Sequence, residues 1–257
     1  MKISFSFGAI LLMYGMGVST AMASDDMKDG AEWSYEGNSG PEYWGDLDPA
    51  YIACIEGHAQ SPVDIVETVK SAKDDLKVNY AVGNGIVRDN GHTWEVVCEP
   101  GNYLKVSGQR YDLRQFHFHS PGEHWVGGRP FDMELHFVHT NTNGDVVILG
   151  ILLDIGDENQ FINKIWQNVP GGEGDDYVEE IYDMQLTSLI EPMAAYYTYK
   201  GSLTMPPCSE GVNWIILAKP QTVSYEQVRF FGNIFPNNNR PLQPLNSRKV
   251  REDIYSR

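Results

Sequence analysis

Two short alternating runs, Gln115-Phe-His-Phe-His119 and Glu134-Leu-His-Phe-Val-His139, constrain this chain more than any other feature. In an extended strand successive side chains point to opposite faces. Gln115, His117 and His119 therefore share one face while Phe116 and Phe118 share the other. The second run divides in the same way, with Glu134, His136 and Val138 opposite Leu135, Phe137 and His139. Sixteen residues lie between His119 and His136, and Pro121, Gly122, Gly127, Gly128 and Pro130 among them suit a turn that returns the chain as an adjacent antiparallel strand. The prediction is a strand pair with one greasy face and one face on which three imidazoles converge.

Polar groups turned inward from strands this apolar cost free energy unless something pairs them. A single histidine here reads better as a core or surface residue; the triplet His117, His119 and His136 reads as a ligand set. Three neutral nitrogens with no thiolate nearby describe a tetrahedral Zn2+ site whose fourth position stays open, whereas structural zinc is usually closed by four ligands that include cysteine. Cobalt or iron could occupy the same nitrogens. Each ligating imidazole needs a partner for its other nitrogen. Gln115 stands two residues from His117, and Glu134 two from His136, on the same faces; His119 has no such neighbour and is expected to use a backbone carbonyl.

The rest of the chain reads as short strands broken by Gly, Pro and Asn, without repeats, which predicts a mainly β protein with minor short helices. Strands are expected at 92–98, 103–107, 113–119, 133–139, 146–153 and 212–218, helices near 157–168 and 224–230. Pro170-Gly-Gly-Glu-Gly-Asp-Asp176 reads as an acidic loop and Pro236-Asn-Asn-Asn-Arg240 as a turn. Residues 1–23 carry Lys2, an apolar stretch from Ile3 to Val18, and Ala21-Met-Ala23, the pattern of a secretory signal peptide. Removing those 23 of 257 residues leaves 234, expected as one domain over 24–257 with no membrane span after cleavage. The formal charge of −16 becomes −17 without Lys2, so nucleic acid and anionic membranes are poor partners. Cys98 is expected as a buried free thiol, since alternation sets it opposite Glu95 and Val97.

The histidine runs resemble those of the alpha class of carbonic anhydrases, in particular exported bacterial members. The resemblance extends to Ser39-Gly-Pro-Glu-Tyr-Trp44, Gln60-Ser-Pro-Val-Asp-Ile65, Asn90-Gly-His92, Gly122-Glu-His124, Tyr197-Thr-Tyr-Lys-Gly-Ser-Leu-Thr204, Pro206-Pro207, Trp214 and Asn239-Arg-Pro-Leu-Gln-Pro-Leu-Asn246. It implies a large twisted mixed sheet, mostly antiparallel, with a conical active-site cavity. It also implies reversible hydration of carbon dioxide to bicarbonate and a proton by zinc-bound hydroxide. By the same resemblance Thr204 is the gatekeeper hydroxyl, Glu123 its acceptor and His92 the proton shuttle, an imidazole whose unperturbed pKa lies near neutrality. Val138, Ile148, Leu203, Val212 and Trp214 match an apolar wall beside the metal, with Ile148 one carbon larger than the valine often found there. His124 and His139 match buried hydrogen-bonding positions, with Tyr199 near the same network.

Cys54 and Cys208 match a disulfide of exported members, consistent with a periplasmic or secreted protein. In the chain-entropy picture such a bridge stabilises by ~4–5 kcal/mol and braces the Thr204 segment. Anion and sulfonamide-type inhibitors and a homodimer are also implied. Two departures stand out. Met205 removes a polar group from the cavity mouth, and Glu95 places a carboxylate near His92, which is expected to raise the imidazole pKa. Two other functions fit the same residues: a catalytically silent zinc-binding relative acting as a binding module, and a zinc esterase.

Overall fold

In the computed structural model, which describes residues 30–70, 76–172, 177–190 and 194–254, the two histidine runs lie side by side in antiparallel strands, Gln109–His119 and Met133–Thr140. The register sets His117 opposite His136, Phe116 opposite Phe137 and Phe118 opposite Leu135. The expected signal segment and residues 173–176 of the acidic loop lie outside the described residues.

These strands occupy the middle of a 13-stranded sheet. From one edge its main path runs Val178–Gln185, Val82–Asp89, Trp94–Cys98, Gln109–His119, Met133–Thr140, Val146–Ile155, Glu210–Leu217, Ala195–Ser202, Val250–Ile254 and Thr68–Lys70. Most neighbours are antiparallel; Val146–Ile155 runs parallel to Glu210–Leu217, as does Val250–Ile254 to Thr68–Lys70. The mainly β, mixed and mostly antiparallel architecture agrees with expectation. All six predicted strands are present, the third lengthened to Gln109–His119 because the Ser107-Gly108 turn, with φ of 50° and 81°, folds Tyr103–Val106 back onto its start.

The greasy face supplies the core. Phe116, Phe118 and Phe137 are wholly buried with Leu135, Leu149 and Ile151, and each such side chain contributes about 1.5–3 kcal/mol relative to exposure. Phe116 stacks on Phe137 at 4.9 Å, and Phe118 meets Trp166 edge-on at 4.7 Å. Trp166 ends a helix, Gln160–Trp166, whose first amides are capped by the Asn159 side chain. A second helix, Tyr225–Gly232, starts with a Ser224/Gln227 capping box. Gln227 also exchanges two hydrogen bonds with the backbone of Asn159, of 2.9 and 2.8 Å, so one amide locks both helices onto the back of the sheet.

The opposite face carries the polar residues. Gly150 lies opposite His136, and a β-carbon there would come within 2.5 Å of Ile216 and 3.1 Å of a Glu134 carboxylate oxygen. Glycine at this position therefore leaves room for the Ile216 side chain and keeps the approach to Glu134 uncrowded. Cys54 and Cys208 form the expected disulfide, which tethers the segment after Thr204 to the N-terminal part of the chain. Cys98 departs partly from expectation: it is free and packs against the core but is half-buried, and burial, then the nearby Glu95 charge, pushes its thiol up to about 12.

Candidate active site

Each imidazole in the central strand pair is oriented by a hydrogen bond on the nitrogen it turns away from the others. His117 donates from Nδ1 to Gln115 Oε1 at 2.8 Å, His119 from Nδ1 to the Asn238 carbonyl at 2.7 Å, and His136 from Nε2 to Glu134 Oε1 at 2.8 Å. Both side-chain partners and the backbone carbonyl expected for His119 are therefore in place. The acceptor nitrogens left over, Nε2 of His117 and His119 and Nδ1 of His136, converge, with candidate ligand atoms of the three residues all within 4.8 Å of one another. His119 Nε2 is buried and has no hydrogen-bond partner, a cost that a cation would remove.

Electrostatics keeps these rings neutral, as ligation requires. Burial, then mutual repulsion with His119 and His136, holds His117 well below the usual imidazole range. Burial brings His119 down to about 4 and also lowers His136, against the opposing pull of Glu134. Glu134 shows the reverse outcome. Burial pushes its carboxyl up, but His124 and His136 outweigh it and hold the group well below the usual carboxylate range.

Glu134 is satisfied on both oxygens. Oε1 accepts from His136 and from His124 Nδ1 at 2.7 Å, while Oε2 accepts the backbone N–H groups of Glu123 and His124 at 2.8 and 2.7 Å. His124 in turn accepts at Nε2 from the Tyr199 hydroxyl at 2.6 Å, and Tyr199 lies 2.7 Å from Ser61 Oγ. This network accounts for His124 without making it a ligand. His139 lies on the apolar side, bonded to the Tyr80 hydroxyl at 2.6 Å and to the Val147 carbonyl.

Glu123 and Thr204 are both buried beside the triad. Glu123 Oε1 accepts the Arg240 N–H at 2.8 Å, and Oε2, without a hydrogen-bond partner, points between His119 Nε2 at 3.6 Å and His136 Nδ1 at 3.8 Å. Burial raises its carboxyl to about 7, opposed by His136, the Arg240 amide and the Thr204 hydroxyl. Ile148, Val212 and Trp214 form one buried cluster, against which Val138 and Leu203 pack. Trp214 lies 4.8 Å from the His136 ring, so this cluster walls one side of the triad.

His92 stands in a turn whose Asn90 Oδ1 accepts the N–H groups of His92 and Thr93, both at 3.0 Å. Its ring stacks on Trp33 with centroids 3.6 Å apart and planes 12° from parallel. Burial lowers its pKa to about 4, which overturns the expectation that Glu95 raises it. The reason is geometric: Glu95 faces Arg88 across the strand pair and bonds its guanidinium at 2.8 and 2.5 Å, so its charge is already neutralised. Met205 packs into the aromatic and disulfide cluster of Trp33, Trp44, Cys54 and Cys208. Trp33 and Asn238 contact the site from loops distant in the chain and carry no local periodicity, so the sequence holds no signal for them.

A β framework that presents three neutral, individually oriented imidazole nitrogens and no thiolate fits the class of mononuclear zinc enzymes. Comparison with known proteins narrows the class. The family described as eukaryotic-type carbonic anhydrase matches residues 39–254. The carbonic anhydrase of Nostoc sp. is 39% identical over 255 residues, covering 95% of this chain and 97% of that protein. The carbonic anhydrase of Neisseria gonorrhoeae is also 39% identical, over 246 residues and 95% of each chain. The alpha-carbonic anhydrase of Thermovibrio ammonificans, solved with the inhibitor sulfanilamide, superposes with a TM-score of 0.81 at 42% identity, covering 86% of this chain and 99% of that one. The chain belongs to the alpha-class carbonic anhydrases, zinc enzymes that reversibly hydrate carbon dioxide.

Proposed function

We propose how the residues around the triad divide the work of that hydration. Zinc held by His117, His119 and His136 would supply the Lewis acidity that makes water reactive near neutral pH. The chain's part is to orient and to move protons. A hydroxyl has one donor and two acceptor sites. In this division of work Thr204, buried near Glu123 and one of the groups that draw its carboxyl down, gives its hydrogen to that carboxylate and keeps its oxygen as an acceptor, which would fix the direction of attack on substrate. Because Glu123 Oε2 lies 3.6 and 3.8 Å from two of the triad nitrogens, a cation held by the triad would favour the ionised carboxylate and keep it an acceptor at neutral pH. The wall of Val138, Ile148, Leu203, Val212 and Trp214 suits an apolar linear substrate.

His92 takes the released proton to solvent. Stacked on Trp33 with a pKa near 4 it is a poor acceptor, so transfer requires the ring to leave the stack and regain a near-neutral pKa. The Cys54–Cys208 disulfide supports an extracytoplasmic location, periplasmic or secreted, with residues 1–23 as the signal peptide and 24–257 as one catalytic domain. No helix among the described residues is long and apolar enough to cross a membrane. The sulfanilamide complex of the Thermovibrio relative supports sulfonamide-type inhibitors as ligands of this chain.

The observation that carries this reading is the convergence of three buried, neutral ring nitrogens, each with its other nitrogen occupied. Stopped-flow hydration of carbon dioxide, run beside metal analysis and a His117→Ala control, tests it. Rapid hydration at one zinc per chain, abolished in the control, is expected. Zinc without hydration would favour the silent binding module, and aryl-ester turnover exceeding that of carbon dioxide would favour the esterase.

A further inference from the structure

We infer that the side chain of Asn238 is the positioning residue for His92, fixing the shuttle turn to the end of the strand that carries His117 and His119. The inference rests on the shuttle reading of His92. Asn238 is buried and uses every polar atom of its side chain. Its Oδ1 accepts the Ser120 N–H at 2.7 Å, while its Nδ2 donates to the carbonyls of His92 and Phe118, both at 3.0 Å. One amide thus joins three main-chain groups on two segments, the turn at residue 92 and the strand end at 118–120. Thr93 adds a second tie, its hydroxyl donating to the same Phe118 carbonyl at 2.7 Å.

The Asn238 main chain has a separate task, since its carbonyl holds His119. Substituting the side chain leaves that carbonyl in the chain, so the two contributions can be separated by mutation. Asn238→Ala removes the whole bracket. Asn238→Asp keeps the acceptor for Ser120 N–H but sets an oxygen, in place of the two donors, against the carbonyls of His92 and Phe118, so it breaks the tie to the turn.

Carbon dioxide hydration separates the steps. Combining with substrate does not involve His92, whereas releasing the proton does, so a misplaced shuttle lowers kcat more than kcat/KM. In weakly buffering solution both Asn238 variants are expected to lose about tenfold in kcat, the cost of displacing a proton-transfer group by a fraction of its reach, with a smaller fall in kcat/KM. Added imidazole should restore kcat. In the His92→Ala background the same substitutions should cost nothing further, because partners acting through one group are not additive. A second reading avoids turnover altogether. In the metal-free protein the His92 ring protons, shielded by Trp33 in the parent, should move toward free imidazole in Asn238→Asp.

Equal falls in kcat and kcat/KM, or an additive loss in the double variant, would overturn the inference by making Asn238 a general support of the fold. Unmoved His92 ring signals would do the same. If His92→Ala itself keeps full kcat, the shuttle reading fails and this inference fails with it; if His92→Ala loses kcat while both Asn238 variants keep it, only the inference fails.

Discussion

Replacing Glu134 by Gln tests whether a residue that never touches metal decides how tightly metal is held. The carboxylate accepts four hydrogen bonds, two on each oxygen, and donates none. An amide has one acceptor oxygen, so two of the four donors must then face an NH2 group. The backbone N–H groups of Glu123 and His124 cannot change their role, whereas a ring can change tautomer. The amide oxygen is therefore expected to face the backbone and the NH2 to face His136 Nε2. That nitrogen then accepts, its proton moves to Nδ1, and Nδ1 is the atom meant for the metal. The charge-assisted bond lost is worth about 1.5–3 kcal/mol, equivalent to roughly 10- to 150-fold in affinity. Competition for zinc against a chelator of known affinity should show a weakening of that order. Melting of the metal-free variant controls for misfolding. A zinc affinity within threefold of the parent would refute the argument, because it would mean that neither tautomer nor charge at this position matters.

Three further outcomes are expected. Reducing the disulfide loop by Cys54→Ser with Cys208→Ser, across a separation of 154 residues, should destabilise by about 5 kcal/mol and lower the melting temperature by roughly 10–20 °C in calorimetry. Trp33→Ala should raise the His92 pKa from about 4 toward its ordinary value in an NMR titration, while Glu95→Gln should leave it unmoved because Arg88 already neutralises Glu95. Burial puts the folded pKa of His139 at about 3, below its unfolded value of 6.5, so its contribution to stability is full above the unfolded value and declines as pH falls from there toward the folded one. Urea unfolding of the metal-free protein over pH 4–6.5 should accordingly show a slope smaller by about one proton in His139→Asn. An unchanged slope would exclude His139 as an acid-labile group.

The sequence was legible where a single strand carried the whole argument. The Phe–His alternation states both faces of the central pair, and Gln115 and Glu134 sit two residues from the rings they orient, so ligands and two of three partners follow from period two. What comes from across the sheet or from loops does not. Asn238 lies 119 residues beyond His119, and nothing in a run of asparagines shows which one turns its carbonyl to a metal ligand. Glu95 lies three residues from His92 along the chain, yet its charge pairs with Arg88 across a hairpin, a partnership that sequence order does not display. Edge strands are faint for another reason. In Val178–Gln185 only Ile181 and Met184 are buried, too few to write an alternating pattern.

The disulfide encloses more than it braces. The three triad histidines lie between Cys54 and Cys208 together with Glu123 and Thr204, the residues proposed to orient the attack, so they sit inside one covalent ring. A protease that cuts the backbone once anywhere within that ring produces two polypeptides that remain a single molecule, held by sulfur at one end and by the sheet elsewhere. A cut outside the ring leaves the three triad histidines within it. A first nick within the ring thus detaches none of the three triad histidines, whereas the segment beyond Cys208, which supplies the Asn238 carbonyl to His119, has no such covalent tie.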